Sequence, residues 1–294
     1  MTLSEVAQQP DARVVLPTRH WGRIVAAVAI VAVAVLAVLQ AIDNERFQWN
    51  VVAQYLFAEP ILQGVLKTLM LTAASMAIGI GLGIVIAVLR LSPNPILSSA
   101  AWLYSWFFRG TPLLVQLLFW FFLSALYPSI GAGYLTWDTN SLISPLTAAL
   151  LGLGLNEAAY MSEIVRSGIM SVPPGQSEAA QVLGMTRAQV LRRVVLPQAM
   201  RVIIPPTGNE TIGMLKNSAL VLVIGYTELM TSASLIYART FQTIPLLIVA
   251  ALWYLVISAL LSAGQYYIER YYGRGFSNLR VRRSTAKPAT GGAR

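Results

Sequence analysis

Residues 173–186 read Pro173-Pro174-Gly175-Gln176-Ser177-Glu178-Ala179-Ala180-Gln181-Val182-Leu183-Gly184-Met185-Thr186, and they interrupt an otherwise apolar chain. Two prolines and Gly175 stop the helix that precedes them, because proline lacks an amide donor and crowds the turn before it. Residues 176–183 then have room for a short helix of two turns. Gly184 suits a helix stop, since glycine tolerates positive φ. Thr186 with Gln189 matches a capping box, the reciprocal arrangement that restarts a helix. The second helix carries Arg187, Arg192 and Arg193 and is expected to end near Pro197. The segment therefore reads as a helix-turn-helix pinned by its own caps, a surface better suited to docking a partner than to joining two segments.

Outward from this loop the chain is dominated by long apolar runs. About 20 apolar residues cross a bilayer as a helix. Six such spans are predicted, at 24–42, 62–89, 111–127, 142–160, 202–225 and 244–268. The first follows Arg13, Arg19 and Arg23, as a signal peptide would. Its length, and the Asp43-Asn44-Glu45-Arg46 that follows, favour a retained helix. The aromatic-rich segment 96–108 is expected to begin at the interface, with Thr111 capping the third span and Pro112 opening it. The fifth span is unusually polar. The sixth ends in Tyr266, Tyr267, Tyr271 and Tyr272, a residue type that favours the headgroup level. Gly79, Gly81 and Gly83 offer a small-residue face for close helix packing.

Composition agrees. Hydrophobic residues make up 56% of the 294 and charged residues 11%, against roughly 45–50% and 25% in soluble domains. That leaves too little polar surface for a soluble enzyme, and it excludes a disordered chain. With no Cys there is no disulfide framework and no thiolate site. A single histidine, His20, cannot assemble a metal site or a triad. Gly-Lys never occurs, so there is no P-loop. No catalytic residue, metal site or bound cofactor is expected here, and no nucleic acid partner.

The net charge of +9 reads as topology. Of 21 basic residues, 17 fall on the N-terminal tail, 90–110, 161–201 and the C-terminal tail. The opposite loops, 43–60, 128–141 and 226–243, hold only Arg46 and Arg239, and Lys67 and Lys216 lie within spans. By the positive-inside rule both termini are cytoplasmic. The basic tail with Arg280, Arg282, Arg283 and Lys287 anchors this orientation or touches anionic lipid. The expected fold is an all-α membrane protein, a polytopic helix bundle with six transmembrane helices, N-in and C-in.

Ionisable residues in hydrocarbon cost about 2.5–3.5 kcal/mol each on insertion scales, so they need a reason. The fourth span offers Asn156, Glu157, Tyr160 and Glu163; Asn156, Tyr160 and Glu163 share one helical face. The fifth offers Asn209, Glu210 and Lys216. These seven are the expected substrate path for a zwitterion, with Glu157 or Glu210 as acceptors for an ammonium and Lys216 with Asn209 as donors to a carboxylate. Ion pairs Glu210–Lys216 or Glu163–Arg166, locking the bundle, are the structural alternative.

The loop also carries a resemblance. Glu178-Ala179-Ala180, Gly184, Val194, Leu196 and Pro197 resemble the EAA signature of ABC importer permeases, with Val194 the one conservative departure. Gly64 with Thr68-Leu69, Arg109-Gly110-Thr111-Pro112-Leu113, Ala159-Tyr160 with Glu163 and Arg166, Leu196-Pro197-Gln198-Ala199, Asn209-Glu210 and Lys216-Asn217-Ser218 resemble the polar amino acid branch, the histidine/glutamine/arginine permeases. The likeness covers about 61–270.

The resemblance implies a type I ABC importer core of five helices at 61–270, with the EAA loop at 173–197. It leaves a cytoplasmic tail at 1–20, an extra helix and extracytoplasmic segment at 21–60, and a basic cytoplasmic tail at 271–294. It implies a permease subunit of the bacterial inner membrane that works as a homo- or heterodimer with ABC ATPase subunits and an extracytoplasmic solute-binding protein. ATP and Mg would be bound by the partner ATPase. Glu178, Ala179, Ala180, Gly184, Leu196 and Pro197 would couple ATPase closure to the bundle. Alternatives are an importer for another small polar solute, or a secondary transporter needing no ATPase; no inverted repeat supports the latter.

Overall fold

The computed structural model describes residues 21–132 and 135–272. His20, the tail cations Arg280, Arg282, Arg283 and Lys287, the segment 1–20 and most of 271–294 lie outside the described residues. The chain divides into two units, 1–49 and 50–294.

The first unit is built on α1 (Trp21–Asp43) and a 3-10 turn at Glu45–Phe47. No residue of α1 is buried, and it carries no charge beyond its two ends except Arg23. Its close is fixed locally: Asn44 caps the 3-10 turn, and the Trp49 indole donates to the Ala41 carbonyl at 2.9 Å.

The second unit runs α2 (Trp49–Leu56), α3 (Glu59–Arg90), α4 (Pro95–Gly110), α5 (Leu113–Phe121) and α6 (Leu123–Leu126). A hairpin of β1 (Ser129–Ala132) and β2 (Leu135–Asp138) follows, pairing Ile130 with Trp137, a small departure from an all-helical reading. Then come α7 (Thr139–Leu142), α8 (Pro145–Met170), α9 (Pro174–Val182), α10 (Arg187–Val190), α11 (Leu196–Asn217), α12 (Leu229–Thr240) and α13 (Thr243–Tyr272). α8 is the centre, packed by α3, α4, α5 and α11. Gly79 and Gly83 give α3 its close seat on α8, facing Glu157 and Met161, whereas Gly81 faces open space. Large apolar side chains such as Leu66, Met70, Val85, Leu255 and Leu260 point outward, the reverse of a water-soluble surface.

Among the described residues three helices, α1, α3 and α13, are long and apolar enough to cross a membrane, and a fourth results if the bent pair 187–224 and 229–240 forms one span. The other expected spans are built differently. The third starts near its expected place, after α4 ends at Gly110, but is split into α5, Leu113–Phe121, and α6, Leu123–Leu126. Thr111 does not cap α5; its hydroxyl donates backward to the Phe107 carbonyl at 2.9 Å and closes α4. α4 carries Arg109 about 21 Å along its axis from Pro95.

Pro197 does not end the helix that begins after Thr186. A π-turn at Leu191–Val195 leads from α10 straight into α11, and a 3-10 stretch, Ser218–Ile224, extends it to Gly225. Proline falls in the first turn of α11, where its missing donor costs least. The segment 226–243, read as a loop, holds α12 instead, with Leu229 and Ala233 fully buried against α3 and α13.

Candidate functional site

The 173–197 segment folds as its caps dictate. Gly184 stands at φ +81, and Thr186 and Gln189 complete both halves of a capping box. Ala180, Val190 and Val195 pack with Ile169, Val172 and Met185, which fastens the loop to the end of α8. The opposite side is open. Glu178 and Ala179 are exposed, and Val182 and Leu183 are 88% and 83% exposed. Glu178 has no ion pair among the described residues. Leu196 and Pro197 lie at the π-turn that joins the loop to α11.

The seven expected path residues, on two neighbouring helices, do not all line one cavity. Asn156 is buried and turned toward the break between α4 and α5. Its amide donates to the Phe108 carbonyl at 2.8 Å and to Gln116 Oε1 at 3.2 Å. The Gln116 amide in turn donates to the Phe108 carbonyl at 2.9 Å, the Thr111 carbonyl at 3.1 Å and Thr111 Oγ1 at 2.7 Å. These bonds satisfy carbonyls that the break strips of helical partners. Asn156 is thus committed to backbone. Asn209 is likewise drawn away, accepting from Gln265 Nε2 of α13 at 2.9 Å. Lys216 is exposed near the end of α11 with no ion pair among the described residues.

Tyr160, Glu163 and Glu210 do converge. They line a cavity of about 240 Å³ with Arg109, Ser167 and Pro206. The Arg109 guanidinium sits over the Tyr160 ring, 5.4 Å from its centroid, a favourable cation–π distance. Glu163 is paired with Arg166 and, at 3.8 Å, with Arg90. The structural alternative Glu163–Arg166 is therefore present, and Glu210–Lys216 is absent among the described residues. Glu157 is 3% exposed and lies against Gly79, with Oε1 unpartnered among the described residues.

Sequence reading missed three residues. Gln116 holds the α4–α5 break together, and Arg109 stands just before it, over the Tyr160 ring. Glu228 is fully buried and saturated: Oε2 accepts from the Thr68 hydroxyl at 3.2 Å and the Tyr254 hydroxyl at 2.8 Å. Its Oε1 accepts from the Thr231 amide at 2.7 Å and shares the Thr231 hydroxyl, at 3.0 Å, with the Tyr226 carbonyl at 2.8 Å. One carboxylate thereby caps α12 and ties it to α3 and α13. No group of acids and histidines that could hold a metal occurs among the described residues.

Residues 79–274 match the profile of the family described as binding-protein-dependent transport system inner membrane component. The arginine transport system permease protein ArgU of Corynebacterium glutamicum is 48% identical over 280 residues, 95% of this chain and 89% of its own. The L-cystine transport system permease protein TcyB of Bacillus subtilis is 38% identical, over 77% of this chain and 92% of its own. A solved structure described as an amino acid ABC transporter with histidines is 36% identical, covers 74% of this chain and 97% of its own, and has a TM-score of 0.65. An inward-facing MetNI methionine ABC transporter chain, 20% identical over 73% of this chain and 97% of its own, has a TM-score of 0.60 and shows likeness of fold.

Proposed function

The chain belongs to the family of binding-protein-dependent transport system inner membrane components, and from that premise we propose that it carries polar amino acids inward, basic ones first among them, while ATP is hydrolysed on a separate subunit. It is the permease component of an amino acid ABC importer, a transport subunit embedded in the inner membrane. Importers of this kind work with an ATPase and a binding protein, and two permease subunits face each other across the path. Both termini lie in the cytoplasm, and six spans include α1 as an addition to the five-helix core. ATP and Mg are held by the ATPase, not by this chain.

The observation that carries the coupling scheme is the two-sided loop. Its rear is packed onto α8 through Ala180, and its front presents Glu178, Ala179, Val182 and Leu183 to solvent. An exposed apolar tip on an ordered short helix fits a groove on another protein. Gly184 keeps the turn, and Leu196 with Pro197 passes displacement into α11. Glu210, Glu163 and Tyr160 form the cytoplasmic half of the path. Glu157 marks its deeper part.

Reconstitution tests this directly. Proteoliposomes holding the permease, its ATPase and its binding protein should accumulate L-arginine only with ATP inside the ATPase compartment. Uptake that proceeds without ATPase would assign the chain to secondary transport. Accumulation of a small polar solute but of no amino acid would move it to a related importer.

A further inference from the structure

We propose that Arg109 binds the substrate carboxylate: its guanidinium, seated on Tyr160 at the break between α4 and α5, takes the α-carboxylate of an amino acid whose ammonium faces Glu210 across the same cavity. The inference rests on the amino acid permease reading and deepens it.

The charges around the cavity single Arg109 out. Among the described residues it is the one cation lining the 240 Å³ cavity, together with two acids, Glu163 and Glu210, and the Tyr160 ring. Arg90 and Arg166 are both spent on Glu163. Arg109 has no ion pair among the described residues. Its ring contact supports the face of the guanidinium and leaves its N–H edge free. That edge presents parallel donors matched to a planar carboxylate. Lys216, the donor expected from sequence, does not line this cavity; it lies six residues beyond Glu210, about 9 Å along the helix axis.

Arg109 is also aimed before any substrate arrives. Three contacts to α8 and one to α5 fix the rotation of α4. The Tyr104 hydroxyl donates to the Leu155 carbonyl at 2.8 Å, and Ser105 and Ser162 share a hydrogen bond at 3.1 Å. Asn156 and Gln116 both hold the Phe108 carbonyl, the residue next to Arg109. Binding sites gain affinity when such ordering is complete beforehand. Arg109 further lines a second cavity of about 440 Å³ with Arg90, Trp102 and Trp106. The two cavities share Arg109, Tyr160 and Glu163, so a carboxylate leaving Arg109 has an adjoining space on the Arg90 side of α4.

The test uses the assembled permease–ATPase complex without binding protein, so that the binding protein's own selectivity does not enter. Radiolabelled L-arginine binding is measured with unlabelled L-arginine or agmatine, its decarboxylated analogue, as competitor. The wild type should prefer L-arginine by roughly tenfold or more, and R109Q should lose roughly 30-fold in L-arginine affinity and compete equally with both. R109K keeps the charge without the planar fork; it should weaken L-arginine several-fold and leave agmatine unchanged. If R109Q does not assemble with the ATPase, R109K carries the test, and L-arginine binding within twofold of the wild type in R109K overturns the inference. An assembled R109Q that keeps the wild-type preference overturns it too. A wild-type complex that binds no amino acid overturns both this inference and the reading beneath it.

Discussion

The continuous helix from Arg187 to Ile224 is bounded by two similar turns with opposite surroundings. Each has a glycine in the left-handed region, Gly184 at φ +81 and Gly225 at φ +73, with open space where a Cβ would stand. Each is followed by a helix whose first turn is capped by a side chain, Thr186 for α10 and Glu228 for α12. At the Gly184 end the adjoining short helix leaves Val182 and Leu183 almost wholly exposed; at the Gly225 end Glu228 and Leu229 are completely buried. The same local chemistry thus makes an exposed element at one end and a closed joint at the other. What distinguishes them is whether the groups around the turn are satisfied within this chain.

That contrast can be broken most severely at Glu228. Glu228→Ala leaves the hydroxyls of Thr68 and Tyr254 and the Thr231 amide without their acceptor, and should cost about 3–5 kcal/mol. Denaturant unfolding of the purified subunit should show it as a large fall in midpoint. A loss below about 1 kcal/mol would make the joint far looser than its bonding suggests. At the open end a comparable change should act on coupling instead. Gly184→Pro should abolish ATP-driven uptake in proteoliposomes while the protein still inserts in the membrane; unchanged ATPase stimulation by loaded binding protein would remove Gly184 from the coupling scheme.

Val182→Asp should leave the melting of the isolated subunit unchanged, because its side chain touches little in this chain, and should prevent co-purification with the ATPase. Thr186→Ala comes last, with a loss of about 1 kcal/mol for a single cap. It should be detectable as faster amide exchange at 186–190 and little else.

These two ends were not equally legible. The Gly184 loop is local: every cap and stop lies within a few residues of its partner, so spacing sufficed. Glu228 escaped notice because its partners Thr68 and Tyr254 are 160 and 26 residues away, and nothing in the spacing announces them. Asn156 and Asn209 shared a face with the path residues, as expected from helical period, yet each was claimed by a polar group from a neighbouring helix. Pro197 misled for a different reason. Proline stops a helix only when the lost donor falls in the interior, and a π-turn moves it to a first turn. The family and the bundle were readable from composition, charge asymmetry and the EAA spacing, because those depend on the bilayer and on one short motif.

Pro205 and Pro206 lie inside α11, between the open element and the closed joint. Consecutive prolines remove two amide donors, so the carbonyls of Arg201 and Val202 lose their helical bonds and the helix is weakest in bending there. Gln265 steadies the spot from α13, donating to the Pro205 carbonyl at 3.2 Å. With one end clamped by Glu228, a force applied at Gly184 finds its fulcrum at this pair. Pro206 lines the same cavity as Arg109, so bending at this pair changes the shape of that cavity.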